Sequence, residues 1–319
     1  QPIYGYYRTD DTWVLRRQAE MLASAGVDVV FTDNTNGTWT WRDSYLKVFE
    51  TWTQAMEDGV KTPKVSFMLP FSPSEDARIQ LQDLYLDIFR RNKWQNLWYY
   101  LDGKPMLMAH KEAVSASASN TQKEILNFFT FRANDAGYMM GERTSYEHWG
   151  WLSMYPQAYY YKNIADRRAG KVEQITVGVA MNHNYVLHML AAMNGENIAG
   201  RSYTSEGYHT EENAKLYGYN LAEQFNNALQ IDPSIIFVTG WNEWKAGRYE
   251  VWPEGLPPAV ENAFPDQCND EYSRDIEPTW GDLKDNYYYE LVNFVRQFKG
   301  ARPIPTPTAA ATIDLNAGA

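Results

Sequence analysis

The strongest chemical signal in this chain is the stretch Ile235-Ile236-Phe237-Val238-Thr239-Gly240-Trp241-Asn242-Glu243-Trp244. Its β-branched and apolar run reads as a buried strand, and Gly240 ends it. The next four residues set an amide and a carboxylate between two indoles. In an α/β barrel, residues at the carboxyl ends of the strands line the reactive face. A carboxylate beside aromatic faces suits a sugar, because C–H groups stack on the rings while the acid reaches a hydroxyl or a glycosidic oxygen. Glu243 is therefore the first catalytic candidate, with Trp241, Asn242 and Trp244 as substrate contacts. The bland alternative packs both indoles beneath the loop and pairs Glu243 with a cation.

Splitting a glycosidic bond takes two carboxyl groups, one on each side of it, with pKa values pushed apart. The other strand ends offer Asp33 and Glu142 as partners for Glu243. They also offer Asn36, Trp39, His110, Tyr155 and Gln157 to stack on a sugar or hydrogen-bond it. An Asp at a strand end is often only the cap of the next helix, so Asp33 and Glu142 are less specific than Glu243. No paired-histidine spacing suggests a catalytic zinc. No Gly-x-Ser-x-Gly turn supports acyl transfer, and Cys268 sits in a polar loop without a nearby His. The acidic run Asp266 to Glu277 could hold calcium through its oxygens, but a surface or cleft-wall loop is the stronger expectation and no cofactor is required.

These residues need a scaffold that gathers strand ends, and the periodicity supplies one. Helices are expected at 11–25, 42–57, 74–91, 120–134, 217–229 and 284–298. Strands are expected at 27–32, 64–69, 105–109, 137–141, 151–155, 174–180 and 234–239. Helix stops and caps such as Gly26 and Ser74 punctuate them. Seven strands alternating with helices predict an α/β fold of the (β/α)8 TIM-barrel type. The eighth strand is expected upstream of Gln1 rather than in Ile3–Tyr7, so the numbering starts inside the domain. A doubly wound sheet is the alternative, but no Gly-rich phosphate turn follows any strand. Residues 181–216 read mostly as loop, and the long loop after Gly240, through Trp252, Phe264 and Trp280, is expected to wall a substrate groove.

The 319 residues suit one large domain over 1–300, followed by a Pro/Thr/Ala linker at 301–319 toward a separate module, either carbohydrate-binding or a β-sandwich. Forty acidic against 29 basic residues give a net charge of −11, which argues against a nucleic-acid partner. No apolar run is long enough for a membrane span. Twelve Trp and 23 Tyr favour a ligand bound by stacking. The linker and the carbohydrate reading together suggest a secreted or periplasmic setting.

At these residues the chain resembles the barrel glycoside hydrolases of families 71 and 99, in an uncharacterised bacterial branch. The likeness rests on Gly26-Val27-Asp28-Val29-Val30-Phe31-Thr32-Asp33, Gly103-Lys104-Pro105, Tyr155-Pro156-Gln157 and Gly240-Trp241-Asn242-Glu243-Trp244. It spans most of residues 1–300, and the last motif is the specific one. In the family 99 endo-α-mannosidases a second catalytic glutamate lies three residues after the first. That position is Ala246 here, so the resemblance implies the Glu243 role but neither the two-glutamate mechanism nor mannan specificity. Glu250 lies further along the same loop. The expected function is an endo-acting glycoside hydrolase. The alternative is a carbohydrate-binding barrel that has lost catalysis, and a polysaccharide lyase is a weaker third because Arg143 is the lone cation at a strand end.

Overall fold

The computed structural model describes residues 1–244, 247–255 and 258–300. The expected linker at 301–319 and the position of Ala246 lie outside them. Helix α1 (Thr12–Ala25) starts where the Asp11 side chain accepts from the amides of Trp13 and Val14, and it stops at Gly26 in the left-handed conformation. Strand β1 (Val29–Asp33) follows, then α2 (Arg42–Glu57), β2 (Lys64–Met68), α3 (Glu75–Leu84), β3 (Lys104–Met108), α4 (Asn120–Phe128), β4 (Thr130–Asp135) and β5 (His148–Gly150). The short α5 (Ile164–Arg168) leads to β6 (Gln174–Gly178), α6 (Tyr219–Ile231), β7 (Ile235–Thr239) and α7 (Asn286–Phe298).

Strands β1 to β5 form one parallel arc in chain order, with Asp33 level with Met68, Met68 with Met108, and Met108 with Arg132. Strands β6 and β7 form a second parallel pair, with Thr239 level with Gly178. In each arc the carboxyl ends therefore finish side by side. The two arcs share an interior of Phe31, Met68, Met106, Met108, Trp149, Ile235 and Phe237. The Phe31 ring lies 5.3 Å from Phe237 and 6.2 Å from Trp149, which brings β1 against β7 and β5. Helices cover the outside through two apolar clusters, one around Phe49, Phe67 and Phe89 and the other around Phe225, Leu291 and Phe294.

Between β5 and β6 a side chain stands in for the backbone ladder. The buried Gln174 amide accepts from the Gly150 N–H and donates to the Gly150 carbonyl, both at 3.0 Å. Glycine is required there, since a Cβ at Gly150 would sit 2.7 Å from the Thr176 methyl and 3.0 Å from the Tyr160 ring. The two strands thus touch directly, and one glutamine satisfies both backbone groups.

Several expected elements differ. The helix expected at 120–134 ends at Phe128, and Thr130–Asp135 is a strand. Its residues alternate between faces: Phe131 packs outward into the helix-side cluster, while Asn134 reaches the Leu69 carbonyl. That is a period of two, which strand geometry requires and which a helical reading overlooked. The strand expected at 137–141 is reduced to a bridge between Met140 and Gln157, and the one at 151–155 lies earlier, at His148–Gly150. Ile3–Tyr7 is no strand, although Pro2 bridges Thr279. The 181–216 segment carries small antiparallel pairs around Met181–Asn184, and the loop after Glu243 contains a hairpin of Tyr249–Trp252 with Val260–Ala263.

Replacing Gln174 by Leu keeps the volume but leaves the Gly150 N–H and C=O buried and unpaired. Each orphaned group costs about 1–3 kcal/mol, so a urea melt should show a lower midpoint with an unchanged slope. A midpoint equal to that of the wild type would show that the amide does not join the arcs.

Candidate functional site

Beyond β7, the chain segment 274–277 lies alongside Gly240 and Trp241. The Gly240 amide donates to the Arg274 carbonyl, the Ile276 amide to the Gly240 carbonyl, and the Glu277 amide to the Trp241 carbonyl. This pairing brings three polar side chains, those of Arg274, Asp275 and Glu277, beside the Asn-Glu motif. Asp275 Oδ1 accepts the Glu243 backbone N–H at 2.6 Å. Arg274 Nη2 donates to Glu243 Oε2 at 3.2 Å, and the same nitrogen makes a shorter contact to Asp266. Arg274 is buried, with its guanidinium 5.2 Å from the Trp151 ring centroid. The Glu243 side chain keeps 46% of its surface accessible, so it is neither turned away to bulk water nor sealed beneath a lid.

Among the described residues, Asp266, Asp275 and Asp33 all raise Glu243, and the Arg274 guanidinium acts against them. The Glu243 carboxyl is pushed up to about 8, first by desolvation and then by Asp266, with Arg274 opposing. Burial likewise raises Asp275, to about 6, offset in part by the bond from the Glu243 amide and by Arg274 and Arg201. Asp33 stands exposed at the end of β1, where its Oδ1 accepts the Thr35 amide at 2.9 Å. The loop that follows is braced from below. Asn34 Nδ2 donates to the Thr40 carbonyl, while the buried Gln80 of α3 donates to the Asn34 and Gly37 carbonyls.

A second network fixes the motif from behind. The buried Glu277 accepts hydrogen bonds from the Tyr7 hydroxyl, the Trp244 indole N–H and the Gln18 amide. Desolvation dominates over these donors and lifts its carboxyl to about 7. Tyr7 in turn accepts from Asn242 Nδ2 at 3.0 Å, so an N-terminal residue fixes the amide next to the candidate acid.

Of the sequence candidates, Glu243, Asp33 and Asn242 come together here. Glu142 does not: it is held by Arg167 at 2.7 Å, which lowers its carboxyl. The two indoles of the motif are structural. Trp241 wedges between both helix-side clusters, and Trp244 is buried over Glu277. Gln157 is fully buried, with its amide spent on the Thr176 and Gln224 carbonyls and on Asn227. His110 sits at the end of β3, with Nε2 3.3 Å from the Asn134 carbonyl and its ring 6.1 Å from that of His148. Tyr155, Asn36 and Trp39 are exposed, Trp39 to 67%. Among the described residues no group of three or more His, Cys, Asp or Glu is arranged to hold a metal ion. A hollow of about 360 Å³ between α2 and the chain after α3, lined by Arg42, Asp83, Asp87 and Arg91, shares no residue with this site.

Sequence reasoning does not bring Asp266, Arg274, Asp275, Glu277 or Tyr7 to Glu243. The run 266–277 reads as an acidic surface or cleft-wall loop that Arg274 partly neutralises. Its usable signal was an arginine inside that acidic run, a charge that buried carboxyls need nearby.

No family model matches the chain, and no curated protein matches it. Solved structures do. A family GH99 endo-α-mannosidase from Bacteroides thetaiotaomicron superposes with a TM-score of 0.54 at 18% identity, over 95% of this chain and 84% of that one. The same kind of enzyme from that organism, in complex with bis-tris-propane, gives a TM-score of 0.52 at 16% identity, over 94% and 88%. The likeness is one of fold and extends over nearly the whole chain. It agrees with the resemblance carried by the sequence motifs.

Tyr7→Phe removes a donor to Glu277 and an acceptor from Asn242 and Gln18, at a cost of about 1–3 kcal/mol. The phenol steadies the ionised carboxylate, so its loss raises the Glu277 carboxyl further. Stability tied to a raised acid is lost as pH climbs through its folded value, so the penalty should be larger at pH 8 than at pH 5. Melts at the two pH values check this, and an equal penalty at both would separate Tyr7 from Glu277.

Proposed function

We propose that the protein is a glycoside hydrolase that cuts within an oligo- or polysaccharide, with Glu243 as general acid and Asp33 as the facing carboxylate. The observation that carries this reading is the accessible Glu243 just beyond β7, its carboxyl raised to about 8 with Asp33 among the acids acting on it. A carboxyl that keeps its proton near neutral pH can give it to a departing glycosidic oxygen. The exposed Asp33 would serve as nucleophile or activate a water from the opposite side. Asn242, held by Tyr7, is the nearest amide for a hydroxyl, and the exposed Tyr155 and Trp39 are aromatic faces for sugar rings. The solved structures that share the fold are endo-α-mannosidases, so α-mannans belong in the substrate panel without excluding other glycans. A secreted or periplasmic location, with a carbohydrate-binding or similar module beyond residue 300, is part of this proposal.

A second reading is a carbohydrate-binding barrel without catalysis, and the contact from Arg274 to Glu243 favours it, since an ion-paired glutamate is a poor acid. The two readings part on turnover.

Glu243→Gln should lower release of reducing ends by about 10²–10⁴. A loss of less than tenfold on an active substrate would remove Glu243 from the mechanism, whereas tight glycan binding with no turnover by the wild type would select the binding module. Because the acid must be protonated, wild-type activity should fall as pH rises through about 8, tenfold per unit beyond it. Carboxylate catalysis needs no cofactor, so EDTA should leave turnover within about twofold; abolition restored by calcium would assign the acidic loop a metal.

A further inference from the structure

One nitrogen of Arg274 serves two carboxylates. Nη2 is 3.2 Å from Glu243 Oε2 and makes its closer contact to Asp266 Oδ1. The guanidinium has little freedom to choose between them, since it is buried, lies over the Trp151 ring and is carried by a backbone tied to Gly240. Asp266 is fixed independently. Two residues before it, the Phe264 amide donates to Asn194 Oδ1 and the Phe264 carbonyl accepts from the Met193 amide. Just after it, Gln267 bridges Ser273. Asp266 and Arg274 thus approach the site on the two arms of one closed turn, with Glu243 entering from β7.

We propose that Asp266 is a positioning residue for Glu243: by engaging Arg274, it keeps that cation from becoming the full ion-pair partner of Glu243 and leaves Glu243 as the group of the site that carries the proton. The proposal rests on the reading of Glu243 as general acid and adds how its proton is kept. The groups facing Glu243 are Asp266, Arg274 and Asp275 on the 264–277 segment and Asp33 on β1, with Tyr138 behind Arg274. Asp275 is committed to the Glu243 backbone N–H and Asp33 to the Thr35 amide. The weakest hold falls on Glu243, which has one contact at 3.2 Å and an open face. Without the Asp266 charge, the fixed guanidinium has, among the described residues, Glu243 as the anionic side chain in hydrogen-bond reach, and its charge acts on Glu243 unshared.

The first readout is the pH profile of kcat/KM. Asp266→Asn should move its alkaline limb down by about one unit, so that activity at pH 8 relative to the optimum falls about fivefold from the wild-type ratio. Asp266→Glu, which restores the charge, should leave the limb in place. The second readout needs no substrate. In the wild-type background the stability gained by Glu243→Gln should grow as pH rises from 4.5 to about 8, because a raised acid loses its contribution over that window. In the Asp266→Asn background that growth should be smaller and level off about one unit lower in pH. Equal growth in both backgrounds, or an unmoved limb in folded Asp266→Asn, would overturn the proposal; Asp266→Ser serves the same comparison if the Asn variant does not fold. Absence of turnover by the wild type on every glycan tested would sink the glycosidase reading while the melts still judge Asp266.

Discussion

The site depends on how one buried arginine is shared. Among the described residues, Arg274 is the cation within hydrogen-bond reach of both Glu243 and Asp266, and Asp275 and Asp33 also act on Glu243. A second arginine, the buried Arg201, reaches the Asp275 carbonyl at 2.7 Å and helps that carboxylate alone. Desolvation raises the carboxyls of both Asp275 and Glu243, and Glu243 the more, because Asp275 accepts a backbone amide while the nearest guanidinium is shared with Asp266. On the proposed reading, that shift is what would keep a proton on Glu243.

The scaffold keeps these groups in one place. Register across β1 to β4 puts Asp33, Met68, Met108 and Arg132 on a level, and β6 and β7 finish together at Gly178 and Thr239. Phe31 and Phe237 bring the first and last of these strands into contact inside. That contact lets Asp33, at the end of β1, act on Glu243, four residues beyond the end of β7. Gln174 joins the arcs on the other side, with one side chain replacing ladder bonds where Gly150 lets the strands approach. The 274–277 segment then extends past β7 and carries Arg274 and Asp275 into the same mouth.

Much of this was legible in the sequence where local patterns coincide with tertiary roles. Glu243 and Asp33 stand out because each ends a β-branched run, and the helix stop at Gly26 and the cap at Ser74 fall where their chemistry demands. The strand at Thr130–Asp135 was hidden because Asn134 and Arg132 are polar yet point inward, which erased the apolar alternation a strand normally shows. Arg132 is tolerated there through Glu173, at 2.6 Å and 2.8 Å, a pairing between residues 41 apart. Asp266 and Arg274 stayed hidden for the same reason. Their roles come from a turn that folds back on β7, and no spacing within the motif announces it.

The aromatic content illustrates the limit of composition as evidence. Many of the rings pack on one another inside: Phe67 against Tyr45, Phe89 against Trp98 and Phe129, and Phe225 against Phe294. The two indoles beside Glu243 belong with these, since Trp241 fills the seam between the clusters and Trp244 donates to Glu277. Their task is to make the motif rigid, and rigidity matters more here than an extra stacking face. A general acid misplaced by about 1 Å can cost a hundredfold in rate, whereas a sugar platform can be supplied by exposed rings on neighbouring loops. Trp39 sits on a loop braced by Gln80 and Asn34, and Tyr155 stands exposed near Gln157. On the proposed reading the division of labour would follow from burial: Trp241 and Trp244 are packed away beside Glu243, whereas the Trp39 and Tyr155 rings stand open to solvent.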